Sequence, residues 1–225
     1  MNIEAVIKLG GSLLAGQAML PLLDALGRLA DRQRLLLVPG GGALADAVRA
    51  ACRRQDPGDS AAHWMAVLAM DQQAHYVAAL AARACLVQTP EQIEGAAPGV
   101  LPVLAPYRWL READALPHGW HVTSDSIAAW IAGRLNVSRL VLLKACDGVL
   151  APSGELRSEV TAAEASRAGL VDEGFAEVCG PALECWLLNG GRSERLLELF
   201  SSGRTRGTRV RRGSAPGAAP APGGR

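Results

Sequence analysis

A lysine, two adjacent glycines and a serine lie together in Lys8-Leu9-Gly10-Gly11-Ser12. The chemistry these residue types suit is phosphate binding. Adjacent glycines permit a tight turn and let backbone N–H groups come close to phosphate oxygens, and a lysine adds a mobile positive charge. The spacing fits neither a Walker A loop nor a Rossmann fingerprint, and a glycine pair alone also serves ordinary strand-to-helix turns. Pro39-Gly40-Gly41-Gly42 repeats the design further along. Two such turns at one sheet edge could face each other, one holding donor phosphate and the other an anionic acceptor. Asp46 and Arg49 follow at i and i+3, either as acceptor ligands or as an intrahelical surface ion pair.

Three further segments carry polar groups where chemistry could use them. In Thr123-Ser124-Asp125, Thr123 or Ser124 could cap a helix and Asp125 would favour its positive end. An aspartate near Lys8 would also orient the lysine. Lys144-Ala145-Cys146-Asp147-Gly148-Val149 follows the most apolar run of the chain; Asp-Gly is an ordinary turn pair, but its place puts Lys144, Asp147 and Gly148 near any bound nucleotide. Asn189-Gly190-Gly191-Arg192-Ser193-Glu194-Arg195 is a further glycine turn leading into a helix.

The lysines carry a compositional signal. Of 23 basic residues only Lys8 and Lys144 are lysine, and both lie beside glycine motifs. Lysine is a compact charge on a flexible stem, whereas arginine is a planar fork. A chain so biased to arginine that keeps lysine at two places points to a site where arginine does not fit, at Lys8 above all.

The elements that must position these residues alternate along the chain. Short apolar runs at Ala5–Leu9, Leu35–Val38, Cys85–Gln88, Gly99–Leu104, Arg139–Leu143 and Trp186–Leu188 read as strands. Helical patterns cover Leu20–Ala30, Ala43–Arg53, Ala62–Ala84, Thr123–Leu135, Thr161–Ala168 and Arg192–Leu199. The alternation predicts an α/β fold, a three-layer α/β/α sandwich around a mainly parallel sheet. Ligands bind such sheets at the carboxyl ends of the strands, where the glycine motifs fall.

Bulk composition bounds the function. The 225 residues and 49% hydrophobic content suit a single domain with a substantial core. The net charge is +1; six arginines in residues 201–225, with no acid, leave −5 for the rest. A globally basic nucleic-acid binder is not expected, and the arginine-rich end reads as a solvated frayed end rather than an RNA or membrane contact. No apolar run approaches the roughly 20 residues that span a membrane. Five cysteines without a Cys-x-x-Cys pair, and a strand-like run starting almost at once, point to free thiols in the cytoplasm without a leader. Residues 213–225 are low in complexity and are expected to be disordered. There is no Ser-His-Asp arrangement for covalent catalysis, and no protein metal ligands are expected.

In order and spacing, these motifs resemble the amino-acid kinase family, over about residues 3–210. Lys8–Ser12 is similar to the family's Lys-x-Gly-Gly-Ser start and Gly40–Gly42 to its second glycine loop. Thr123-Ser124-Asp125 resembles the element whose aspartate organises the active-site lysines. Asp147-Gly148-Val149 resembles the turn near the nucleotide, and Gly207-Thr208-Arg209-Val210 the terminal strand. The resemblance implies the carbamate kinase-like fold in one domain, residues 1–212, with an acceptor-side half (about 1–120) and a nucleotide-side half (about 121–212). It implies ATP and Mg2+ and a homo-oligomer, with the 62–84 helix a candidate interface. Lys8, Asp125 and Arg195 would be catalytic; Gly10, Gly11, Ser12, Lys144, Asp147 and Gly148 would bind nucleotide phosphates; Gly40, Gly41, Gly42, Asp46, Arg49, Thr123 and Ser124 would bind the acceptor. The sequence departs from the family at Arg195, where many members carry a second lysine. The helix after the second glycine loop also lacks the histidine of isopentenyl phosphate kinases.

The 40–49 stretch, His63-Trp64-Met65-Ala66, Met70 and Trp120 with 123–130 are similar to the branch that phosphorylates [5-(aminomethyl)furan-3-yl]methyl phosphate for methanofuran. The resemblance then implies a small phosphorylated acceptor. His63 and Trp64 would either line its pocket or pack. A carboxylate acceptor giving an acyl phosphate, or a nucleotide-binding protein without turnover, are the alternatives.

Overall fold

The computed structural model describes residues 3–14 and 16–212. Seventeen strands and helices alternate through them. They are β1 (Ala5–Leu9), α1 (Met19–Ala30), β2 (Leu35–Pro39), α2 (Gly42–Arg54), α3 (Asp59–Leu80), β3 (Ala84–Val87), α4 (Pro90–Gly95), β4 (Leu101–Leu104), α5 (Tyr107–Ala113), α6 (Ser124–Arg134), β5 (Arg139–Lys144), β6 (Glu159–Thr161), α7 (Ala162–Arg167), α8 (Phe175–Val178), β7 (Glu184–Asn189), α9 (Ser193–Ser202) and β8 (Thr208–Arg211). The strands form one sheet in the order β3-β4-β2-β1-β5-β7-β8-β6. Every pairing is parallel except β7 with β8.

The apolar runs become strands because both their faces are covered. Val6, Leu36, Val38, Leu140 and Leu142 enter one core with α6 and Phe175. Their neighbours Ile7, Leu9, Leu35, Leu37, Val141 and Leu143 enter another with α1 and α9. Each fully buried leucine contributes about 1.5–3 kcal/mol relative to exposure, so these short strands hold without any local propensity beyond their leucines and valines.

The sheet order divides at one place. Strands from residues 5–104 lie on one side of the β1–β5 boundary and those from residues 139–211 on the other. β1 and β5 are neighbours in register, with Leu9 opposite Leu143. A reversal of winding direction opens a crevice at the strands' carboxyl ends, and here those ends carry Lys8 and Lys144.

Two sequence expectations are corrected. The helix expected over 62–84 runs Asp59–Leu80 and stops because Ala84–Val87 pairs with β4, a tertiary demand that the alanine-rich sequence does not announce. The short elements α4, α5, α8 and β6 have too few residues to show a period. Arg209 and Arg211 are not part of a frayed end: they lie in β8, where Arg211 pairs with Glu159 at 2.5 Å. The disorder expected for 213–225, and Arg225 with it, lies outside the described residues.

Candidate active site

Lys8 and Lys144 converge on one carboxylate. Lys8 projects from the end of β1 and its Nζ lies 2.8 Å from Asp125 Oδ1, an ion pair off the line of a regular hydrogen bond. Lys144, at the end of the adjacent β5, donates to Asp125 Oδ2 at 2.7 Å. Lys8 and Asp125 are buried. Burial works to raise the Asp125 carboxyl, but the two ammonium groups outweigh it and hold it below the usual carboxylate range. Burial and the Lys8 charge pull Lys144 below the ordinary lysine range, with Asp125 opposing. The three groups carry a net positive charge at the crevice floor, which is electrostatically set to receive an anion.

Asp125 sits in the first turn of α6, and that turn is held from elsewhere in the chain. Thr123 occupies the cap position but makes no side-chain cap bond to α6. Its own hydroxyl donates to Asp172 Oδ2 at 2.7 Å. The same oxygen accepts from the Thr123 backbone N–H at 2.9 Å and that of Ser126 at 3.1 Å, and the Ser126 hydroxyl donates to Oδ1. The capping expected of Thr123 or Ser124 is therefore performed by Asp172, between α7 and α8. A carboxylate is the stronger acceptor for the exposed N–H groups of a helix start. With those groups satisfied, Asp125 is free to meet the lysines.

The two glycine loops face one another. A Cβ on Gly11 would meet the Gly42 Cα at 2.6 Å, and Gly42 itself has φ +52°. Any larger residue at Gly11 would force the loops apart. They form one wall of a cavity of about 410 Å³ whose lining includes Gly11, Ser12, Gly41, Gly42, Asp46, Arg49, Thr123 and Ser124. Asp46 and Arg49 form the intrahelical pair, at 2.7 Å, and also line the cavity, with the Arg49 guanidinium 4.5 Å over the Trp120 ring. Trp120, Val67, Met70 and Ile127 make the remaining walls largely apolar, and His63 lines the cavity too. Trp64 is not in the lining; it packs edge-on against Tyr107 and His118, beneath Arg111.

A second polar centre lies at the ends of β5 and β7. Asp147 Oδ1 accepts from Asn189 Nδ2 at 2.7 Å and from Arg195 Nη1 at 2.8 Å, and Oδ2 accepts from Arg195 Nη2 at 3.3 Å. Arg206 Nε lies 3.7 Å from Oδ2. Hydrogen bonds from Arg195 and Asn189 hold the Asp147 carboxyl down to about 2. Arg195 is thus committed to Asp147, and the second cation on Asp125 is Lys144. Gly148, next in the chain, takes φ +136° against Thr208, whose hydroxyl accepts from the Val149 N–H at 3.0 Å.

The structure therefore gathers Gly11, Ser12, Gly41, Gly42, Asp46, Arg49, Thr123 and Ser124 around one cavity and sets Lys8, Asp125 and Lys144 at the crevice floor. Gly10 packs on the Leu143 carbonyl and Gly40 near the Ser124 hydroxyl. Asp172 was missed, since nothing in its neighbourhood marks it. Among the described residues no three His, Cys, Asp or Glu side chains come together as a metal cage. No helix there is long and apolar enough to cross a membrane.

Residues 4–185 match the model of the amino acid kinase family, and the chain belongs to that family. Among its relatives is the [5-(aminomethyl)furan-3-yl]methyl phosphate kinase of Methanocaldococcus jannaschii, 27% identical over 203 residues, covering 87% of this chain and 92% of that protein. The acetylglutamate kinase of Sinorhizobium medicae is 31% identical over 115 residues, but over only 45% of this chain and 37% of its own length. In fold the chain is similar to the uridylate kinase of Archaeoglobus fulgidus, with a TM-score of 0.72 at 15% identity, covering 92% of this chain and all of that one. The protein is an ATP-dependent phosphotransferase acting on a small-molecule acceptor.

Proposed function

We propose that the chain phosphorylates [5-(aminomethyl)furan-3-yl]methyl phosphate to its diphosphate. The observation that carries the transfer itself is Asp125 clamped between Lys8 and Lys144 at the floor of two facing glycine loops. A terminal oxygen of the acceptor phosphate attacks the γ-phosphorus of ATP, the β–γ bridging P–O bond breaks, and ADP departs. Charge in such a transition state spreads over the equatorial oxygens, so catalysis is positioning and electrostatic stabilisation. Lys8, Lys144 and the amides of Gly11 and Gly41 supply it, each preorganised donor contributing roughly 3–4 kcal/mol, whereas the Gly10 N–H is taken by the Leu143 carbonyl at 2.9 Å.

The nucleotide lies on the side of the later strands, with its phosphates towards Lys144, Asp147 and Gly148, and the acceptor in the cavity between α2, α3 and α6. This divides one domain of residues 1–212 into an acceptor half and a nucleotide half. Asp125 is engaged by lysines and Asp147 by arginine, and no protein ligands to Mg2+ are proposed. An ion brought by ATP would keep ATP oxygens and water as ligands, and would neutralise charge on the β- and γ-phosphates. We further place the protein in the cytoplasm as a homo-oligomer.

The furan acceptor is supported by the relative that aligns over most of both chains and by a cavity with an aromatic wall. A carboxylate acceptor is the second reading, motivated by the partial likeness to acetylglutamate kinase. Incubation with ATP and the furan monophosphate, uridylate or acetylglutamate, read by ADP release and phosphorus NMR, separates them. A diphosphate of the furan is expected. A product trapped by hydroxylamine would replace this reading with the carboxylate one, and ADP release with uridylate alone would replace it with a nucleotide acceptor.

A further inference from the structure

The cavity has a polar group at the end remote from its glycine loops. His63, Ala66, Val67 and Met70 line it from one face of α3, at i, i+3, i+4 and i+7, and His63 is the one polar side chain of the four. The same helix touches the second glycine loop further on: Gln73 Nε2 donates to the Gly41 carbonyl at 3.5 Å, and Ala69 packs at Gly41. At 1.5 Å per residue, His63 lies about 9 Å along the helix from Ala69. Between the two ends stand Val67, Met70, Ile127 and Trp120, an apolar and aromatic passage.

His63 is buried as a residue, at 5% exposure, and its ring makes no hydrogen bond to another described residue, yet its nitrogens are not sealed away from the cavity that it lines. With no protein partner, the imidazole is available to a ligand in the cavity. The ring is also fixed in place. It stacks on His118 with centroids 4.8 Å apart and meets Trp64 edge-on at 5.0 Å. His118 is in turn held by Ser60 at 3.0 Å and Asp114 at 2.9 Å. Burial, and then the neighbouring His118, push His63 down to about 4, with Asp114 opposing and His121 adding to the fall. The imidazole is neutral at physiological pH and keeps a lone pair to accept a proton donor.

We infer that His63 is a specificity-determining residue of the acceptor site: its imidazole accepts a hydrogen bond from an ammonium group carried about 9 Å from the phosphate end of the acceptor. This rests on the proposed furan acceptor, whose aminomethyl group lies across the ring from its phosphate. The phosphate end meets the glycine loops, the ring lies in the passage beside Trp120, and the amine reaches His63. A hydrogen bond with one charged partner separates acceptors with and without the amine by about 10- to 100-fold.

The test compares two acceptors, the furan monophosphate and its analogue with methyl in place of aminomethyl, in wild type, His63→Leu and His63→Gln. Wild type is expected to prefer the amine by at least tenfold in kcat/KM. His63→Leu loses that preference, chiefly through the KM of the aminated acceptor, and His63→Gln, which keeps a hydrogen-bond acceptor, restores part of it. The KM for ATP stays within about twofold, a value to be read in the same assays. Equal loss on both acceptors, or an unchanged preference in His63→Leu, overturns the role of His63 while leaving the furan substrate standing. No turnover of either furan by wild type overturns the substrate reading and this inference together.

Discussion

Asp125 and Asp147 are two carboxylates at the same edge of the sheet, each surrounded by cations, and they are built in opposite ways. Asp125 is buried and takes two lysines, one on each oxygen. Asp147 is part-exposed and takes the fork of Arg195, with Asn189 and Arg206 beside it. An arginine fork occupies both oxygens of a carboxylate, and its remaining N–H donors are held by the same rigid plane, pointing away from the carboxylate. Lys144 holds the carboxylate by one N–H and Lys8 by an ion pair, so both ammonium groups keep donors for something else. The chain spends its only two lysines where the free donors matter and uses arginine where a rigid clamp suffices. On the proposed reading, the first centre acts on the transferring phosphoryl group and the second, tying the ends of β5 and β7 to α9, lies beside the nucleotide phosphates.

Replacing Asp125 breaks this comparison most severely. Asp125→Ala leaves buried Lys8 and part-buried Lys144 unpaired, a class of change that costs about 3–5 kcal/mol. Chemical denaturation should show that loss, with kcat reduced at least 1000-fold. Asp172→Ala comes next. It strips the start of α6 of its cap and should cost about 1–2 kcal/mol. The kcat should fall along with stability because Asp125 loses its fixed position; unchanged kcat would detach the cap from the chemistry.

Smaller effects separate the second centre. Arg195→Lys keeps the charge but loses the bidentate clamp on Asp147. It should raise the KM for ATP by a few-fold and lower kcat by less than about tenfold, the value of roughly one hydrogen bond. A loss as large as that of Asp125→Ala would place Arg195 in the chemistry. The pH profile gives the smallest and most specific signal. Lys144 must be protonated to act, and burial together with Lys8 lowers it from the ordinary lysine value. The kcat should therefore fall on an alkaline limb that begins below that value. In Lys144→Arg the limb should move up in pH, since guanidinium does not deprotonate there.

Much of this was legible in the sequence because it is local. The Lys8 turn, the Gly40–Gly42 turn and the strand-end position of Lys144 follow from residue type and the apolar runs before them. β1 begins and ends where the sequence places it, as does β2 to within one residue. What was hidden depends on distance along the chain. Asp172 acts on Thr123 and Ser126 from 49 and 46 residues away, and no local pattern signals it. The local rule that Ser or Thr caps its own helix misled for the same reason: a better acceptor arrives from outside. Arg195 was read from its place after a glycine pair, and only the fold shows that its partner is Asp147. Trp64 and His63 are adjacent in sequence, but a helix turns neighbours about 100° apart, so one packs and the other meets the cavity.

The account stands or falls on the lysines. The direct measurement is the single-turnover rate of Lys8→Ala, with ATP and acceptor saturating and the fold checked by its melting curve. A cooperative melt with a rate lower by at least 100- to 1000-fold is predicted, the value of one preorganised donor to the transition state. A rate within tenfold of wild type would contradict the assignment of the Lys8–Asp125–Lys144 centre to phosphoryl transfer.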